Sequence, residues 1–200
     1  MAVTHYFTDN RSLPENRKDH SFEFMGHAYT FATEDGVFSK TGVDYGSEVL
    51  LKAAARERIA GNVLDMGCGY GVLGIVLKTL FPDAAVTCCD VNPRAAELAG
   101  ANSKTNRAPV SVIISDRFEH VPGMFDVIVT NPPIRAGKEV VYGIFDGAYE
   151  HLSSDGFLLA VIRRKQGAES AVRKLNERFG NCEIVMRDKG YWILKSRKSD

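Results

Sequence analysis

The hydrophobic and polar positions divide the chain into a polar start and a long alternating body. From residue 62 onward, short apolar runs alternate with longer amphipathic stretches. Runs such as Phe125-Asp126-Val127-Ile128-Val129-Thr130 are apolar on consecutive positions, as expected of parallel strands covered on both faces. The spacing predicts strands near 62–66, 85–90, 110–115, 125–130 and 156–163, and helices near 71–80, 93–104, 138–152 and 167–179. Strand–helix alternation implies an α/β fold with a doubly wound, mostly parallel sheet. Two further strands near 182–187 and 190–196 are close enough for a hairpin and would bring the sheet to seven strands.

Ahead of this body, Phe22-Glu23-Phe24 and Ala28-Tyr29-Thr30-Phe31 flank Met25-Gly26-His27, which predicts a small β-hairpin outside the main sheet. A helix is expected from about Ser47 to Arg58, capped by Asp44 or Ser47. The first twenty residues are polar and are expected to be loosely held. We read the chain as one domain, an N-terminal extension over 1–42 and a core over 43–200.

Composition changes this picture little. A length of 200 residues and a hydrophobic fraction of 44% suit a globular chain that buries its core without staples. No run approaches a membrane span and no signal-peptide pattern opens the chain, so a cytoplasmic, reduced setting is expected. The four cysteines form no C-x-x-C pair; Cys88 and Cys89, adjacent on a strand, should face opposite ways. The five histidines show no metal-ligand spacing, so no metal is expected. Net charge is zero, which weakly opposes a nucleic-acid partner, yet Val161 to Asp200 holds eleven Lys and Arg against five Asp and Glu. That end either docks phosphates or is the solvated face of a helix and two strands.

Candidate chemistry gathers at strand ends. Asn131-Pro132-Pro133-Ile134 follows an apolar strand, where ligands of open α/β sheets lie. The Asn131 side-chain carbonyl and the Pro132 carbonyl offer two fixed acceptors, suited to a planar NH2 group. Upstream, Val63-Leu64-Asp65-Met66-Gly67-Cys68-Gly69-Tyr70-Gly71 is a strand with an acid near its end and a glycine turn. Gly69 to Gly74 also fits the dinucleotide pattern G-x-G-x-x-G, with Asp90 at the distance of a ribose acid. That frame leaves Asp65 and Gly67 idle, sets a carboxylate near a pyrophosphate, and gives Asn-Pro-Pro no task. Asp90 can bind ribose hydroxyls, with Val91 on an adenine face, or Asp90 or Asn92 can cap the helix that Pro93 starts; both hold together if Asn92 caps while Asp90 binds. Asp116 either accepts an adenine amino group, with the Arg117 N–H on a ring nitrogen, or is a turn aspartate. The segment from Gly36 to Leu51 either lids the pocket, with Phe38 against a target base, or is a hairpin end leading into a capped helix. Trp192, on a strand, reads as core.

The glycine turn resembles motif I of class I S-adenosylmethionine (SAM) methyltransferases. Together with Asp90, Asn131-Pro132-Pro133, the Phe38-Ser39 to Leu51 segment and Lys189-Gly190-Tyr191, it resembles the "small domain" methyltransferases. The likeness is to the RsmC-type ribosomal RNA guanine-N2 enzymes and runs from about Phe22 to the end. It implies a Rossmann-like sheet, SAM as cofactor, and methyl transfer to guanine N2 of small-subunit ribosomal RNA, free or in the subunit. By position, Asp65, Gly67, Gly69 and Gly71 would line the methionine part, Asp90 and Val91 the ribose and adenine, and Asp116 and Arg117 the adenine. Asn131 and Pro132 would hold the target amine, with Phe38, Pro133 and Ile134 around the base. Many amino-methylating enzymes place an aromatic after Pro-Pro; here it is Ile134, so stacking would come from elsewhere, such as Phe38, or be replaced by flatter apolar packing. Larger members carry an additional N-terminal domain, and this chain reads as the catalytic half. Glutamine side chains and adenine N6 remain alternative acceptors, and a non-catalytic binding module is the alternative from another class.

Overall fold

The structure, a computed structural model, describes residues 16–34 and 42–199. Strands β1 (Lys18–Phe24) and β2 (His27–Thr33) pair antiparallel as a separate two-stranded sheet. Their two-residue turn, Met25-Gly26, has both φ angles positive (49° and 80°), the backbone hand that matches strand twist. Phe24, Tyr29 and Phe31 bury into the main core, and the Phe31 ring meets Tyr70 edge-on at 5.9 Å. The hairpin therefore shares one core with the body.

The body follows as α1 (Tyr45–Ala54), β3 (Asn62–Met66), α2 (Val72–Leu80), β4 (Ala85–Asp90), α3 (Pro93–Thr105), β5 (Ser111–Ile114), β6 (Phe125–Thr130), α4 (Lys138–His151), β7 (Leu152–Arg163), α5 (Ala168–Phe179), β8 (Glu183–Asp188) and β9 (Tyr191–Arg197). Seven strands form one sheet in the order β5-β4-β3-β6-β7-β9-β8. Those up to β7 pair in parallel, and β9 runs antiparallel to both β7 and β8. The expected closing hairpin is present, with its second strand inserted next to β7 and its first left at the edge. The chain order reverses between β3 and β6, which opens a crevice at their carboxyl ends.

The two-sided burial read from the sequence follows from helices on both faces. Val63, Val127, Val129, Leu159 and Val161 face α1, α2 and the hairpin. The intervening Leu64, Ile128, Leu158, Ala160 and Ile162 face α4 and α5. Cys88 and Cys89 part in the same way, one toward Cys68 and Ala99, the other into the second cluster. Trp192 packs partly buried on the second cluster.

In the body, helix α1 and strand β7 differ from expectation for local reasons. Helix α1 starts at Tyr45 because Asp44, extended at φ −73° and ψ 150°, caps it, and it ends at Ala54, where i−3 bonds from Arg56 and Glu57 tighten the last turn. Strand β7 begins at Leu152, around a register irregularity opposite Phe125 and Val127. Gly156 sits there because a Cβ would come within 2.9 Å of the Ser153 carbonyl oxygen and 3.0 Å of that of Asp126.

Candidate active site

The glycine turn and the Asn-Pro-Pro segment meet because their strands are neighbours. Asp65 pairs with Val129 across β3 and β6, so Gly67 and Asn131 leave adjacent strand ends. The buried Thr130 hydroxyl donates to the Met66 carbonyl at 2.8 Å and ties the two ends together.

The turn after β3 is held by β4. The Gly67 and Cys68 N–H groups donate to the Cys89 carbonyl, and the Gly69 N–H donates to the Asp90 carboxylate at 2.8 Å. Gly67 and Gly69 have positive φ, and a Cβ on either would meet nothing within 4 Å. Bare backbone thus borders open space, as a closely held ligand requires. Gly71 differs: a Cβ there would lie 3.0 Å from that of Ala99, so its role is to let α2 pack on α3.

Asp65 is fully buried, with Oδ2 accepting the Gly74 N–H at 2.9 Å. Its Oδ1 is buried without a partner among the described residues. Burial pushes the carboxyl up to about 7; the Gly74 N–H opposes this and the Asp90 charge adds to it. A buried acceptor lacking a donor, beside bare glycine backbone, fits a cationic ligand group or its water.

Asp90, also buried, accepts the Gly69 and Asn92 N–H groups, while Asn92 caps α3 through the Arg94 N–H. The cap of α3 is therefore Asn92 and not Asp90. Val91 is half-buried at the same strand end, and exposed Ile114 lies opposite Asp90 on β5. Asp116 is exposed and accepts the Arg117 Nε–H at 3.0 Å, a geometry compatible with a turn role and with a ligand role alike.

The acceptor side depends on α1. The Asn131 Nδ2 donates to Asp44 (3.1 Å to Oδ1, 3.3 Å to Oδ2) and to Ser47 Oγ at 3.0 Å. Both N–H bonds of the amide face acceptors on the α1 cap, so the carbonyl is the end that this cap does not hold. The sequence marks Asp44 and Ser47 only as caps; their spacing gives no sign of a partner 87 residues away. Pro132 is buried and Pro133 half-buried, with Pro133 starting the short turn that holds Ile134. Ile134 packs partly buried against the second cluster. Phe38 lies outside the described residues.

The basic end divides in space. On α5, Lys174 and Arg178 pair with Asp146 of α4, and Arg178 also with Glu150. Lys195 pairs with Glu57 at 2.7 Å. Arg163, Arg164 and Lys165 lie exposed at the carboxyl end of β7, with Arg164 3.6 Å from Glu169. Lys189 stands in the two-residue turn between β8 and β9, 4.7 Å over the Tyr45 ring. Among the described residues no group of His, Cys, Asp and Glu could hold a metal, and no helix is long and apolar enough to cross a membrane.

A seven-stranded sheet of this order, with a glycine turn and Asn131-Pro132-Pro133 at its switch point, is that of a Rossmann-like methyltransferase. The chain belongs to the methyltransferase small domain family, which it matches over residues 28–195. It is 42% identical over 197 residues to YbxB of Bacillus subtilis (strain 168), an uncharacterized protein, covering 97% of this chain and 98% of that one. It is 35% identical over 178 residues to ribosomal RNA small subunit methyltransferase C of Cronobacter sakazakii, covering 87% of this chain and 51% of the relative. Among solved structures, the Thermus thermophilus 16S rRNA N2 G1207 methyltransferase (RsmC), in complex with AdoMet and guanosine, superposes with TM-score 0.84 at 28% identity, over 93% of this chain and 52% of that one. The chain thus spans about half the length of these two larger relatives.

Proposed function

We propose that this protein transfers a methyl group from SAM to guanine N2 of small-subunit ribosomal RNA, as a single cytoplasmic methyltransferase domain over residues 1–200. The observation that carries this reading is the Asn131 amide, held through its Nδ2 by Asp44 and Ser47 at the strand end next to the glycine turn.

Bound SAM supplies a methyl group on a cationic sulfur. Gly67 and Gly69 offer backbone to its methionine part and Asp65 a buried acceptor for a cationic group. Asp90 and Val91 receive the ribose and adenine, and Asp116 with the Arg117 N–H the adenine edge. A guanine amine is a weak nucleophile because its lone pair is delocalised into the ring. Hydrogen bonds from its two N–H groups to Asn131 and Pro132 favour a pyramidal nitrogen. Positive charge grows on that nitrogen during transfer, so both acceptors gain strength in the transition state. The proton then leaves to water without a dedicated base. Pro133 and Ile134 supply flat apolar packing beside the base.

Three features favour RNA as the acceptor. The relatives named for ribosomal RNA methylation match most of this chain. Arg163, Arg164, Lys165 and Lys189 flank the acceptor side, where a phosphate backbone would run. Ile134 replaces the aromatic expected after Pro-Pro in a glutamine-directed enzyme.

Tritium transfer from labelled SAM to small ribosomal subunits, naked ribosomal RNA and release factors tests the assignment. Label in guanine N2 of small-subunit RNA is expected; label in a glutamine side chain or adenine N6 would replace it. Cofactor binding without any product would favour a binding module.

A further inference from the structure

We infer that Asp44 and Ser47, the cap of α1, are positioning residues that set which end of the Asn131 amide meets the methyl acceptor. This rests on the role of Asn131 proposed above and deepens it. An amide's oxygen and nitrogen ends have almost the same shape, so its partners decide which way it points. Asp44 presents two carboxylate oxygens, which only accept. The Ser47 hydroxyl proton is committed to Asp44 Oδ2 at 2.6 Å, so this oxygen also faces Asn131 as an acceptor. A flipped amide would set its oxygen against both. The carboxylate also draws on the amide N–H bonds and makes the far carbonyl a stronger acceptor.

A cap alone would not need this arrangement. Capping requires one oxygen on the Ser47 N–H, which Asp44 Oδ1 supplies at 3.2 Å. Here both oxygens and the neighbouring hydroxyl converge on the residue that follows β6. The N-terminal helix therefore assembles the acceptor half of the site.

Reversing the polarity of the pair tests this in the full chain, with tritiated SAM and small ribosomal subunits. Asn131→Asp sets carboxylate against carboxylate and should lower kcat about 100-fold. Asp44→Asn keeps the cap but can offer its own N–H bonds to position 131, and alone should lower kcat about tenfold. The double variant restores one donor facing one acceptor, with the second oxygen of the introduced carboxylate outward. It should recover at least about tenfold over Asn131→Asp, with KM and SAM affinity unchanged throughout. A double variant no better than Asn131→Asp would overturn the positioning role, because Asn caps a helix as well as Asp does and the comparison leaves the cap intact. Normal turnover in Asn131→Ala would instead reject Asn131 as an acceptor. A readout free of any substrate is the Asn131 side-chain amide in 15N NMR of the ligand-free protein. Slow exchange and resonances displaced by Ser47→Ala at unchanged melting temperature are expected. A solvated amide, indifferent to Ser47→Ala, would also overturn the inference.

Discussion

The two halves of the sheet's carboxyl edge are built on different plans. The half formed by β3 and β4 is held mainly by short loops and backbone: the glycine turn hangs on the Cys89 carbonyl and the Asp90 carboxylate. The half formed by β6, β7 and the β8–β9 turn is assembled from distant segments. Asn131 is set by Asp44 and Ser47, and Tyr45 bonds Asp188 at 2.8 Å while its ring lies under Lys189. A cofactor used in many reactions can be met by a compact preformed turn. The acceptor needs a surface drawn from several elements, each able to change separately.

Breaking the acceptor half at its centre should give the largest effect on activity. Asn131→Ala removes an acceptor that strengthens only as charge develops, so turnover should fall at least ~100-fold. SAM affinity, measured by calorimetry, should stay near that of the parent. A variant with parental turnover would remove the distinction between the halves.

Breaking the other half should reverse the pattern. Asp90→Ala takes a partner from two backbone N–H groups, at Gly69 and Asn92, and, on the proposed reading, from the ribose as well. SAM affinity should drop about tenfold or more, from lost hydrogen bonds of roughly 1.5–3 kcal/mol each to a charged group. Unchanged affinity by calorimetry would reject the ribose assignment.

A milder test concerns the outer rim. Lys165 and Lys189 are exposed at the carboxyl edge. Replacing both with Glu should raise KM for ribosomal subunits about tenfold and flatten its salt dependence by about two phosphate contacts. SAM affinity should not move. Parental KM and salt slope would place the RNA elsewhere.

The same division explains what the sequence reveals. Alternation of apolar strands and amphipathic helices is local, so most element boundaries are legible within a few residues. In α5, Ala168, Ala171, Leu175 and Phe179 form a single buried stripe that the periodicity shows directly. The glycine turn and Asn131-Pro132-Pro133 are equally local. What pattern does not show depends on tertiary contact: β9 entering beside β7, Ile134 leaning on the core, and the cap of α1 serving Asn131. The basic end reads two ways in sequence because its charges split between α4 partners and the carboxyl edge, a division made only by folding.

Asp65 sharpens the comparison with the least effect on turnover. Its folded value, about 7, lies above the usual 3.8, chiefly through burial. The folded state therefore prefers the protonated carboxyl. Its contribution to stability is fully present below about pH 4 and is lost as pH rises through about 7. Asp65→Asn keeps the shape and an oxygen for the Gly74 N–H but cannot ionise. Between about pH 5 and pH 7, ligand-free wild type should lose on the order of 2 kcal/mol relative to this variant in urea unfolding. If a cationic group of SAM reaches Oδ1, saturating SAM should narrow that gap, because the ionised carboxylate then gains a partner. Parallel pH curves for the two proteins without ligand would show that burial exerts no such pressure. A gap unaffected by SAM would show that Asp65 serves only the turn, leaving cofactor recognition in this half to bare backbone and Asp90.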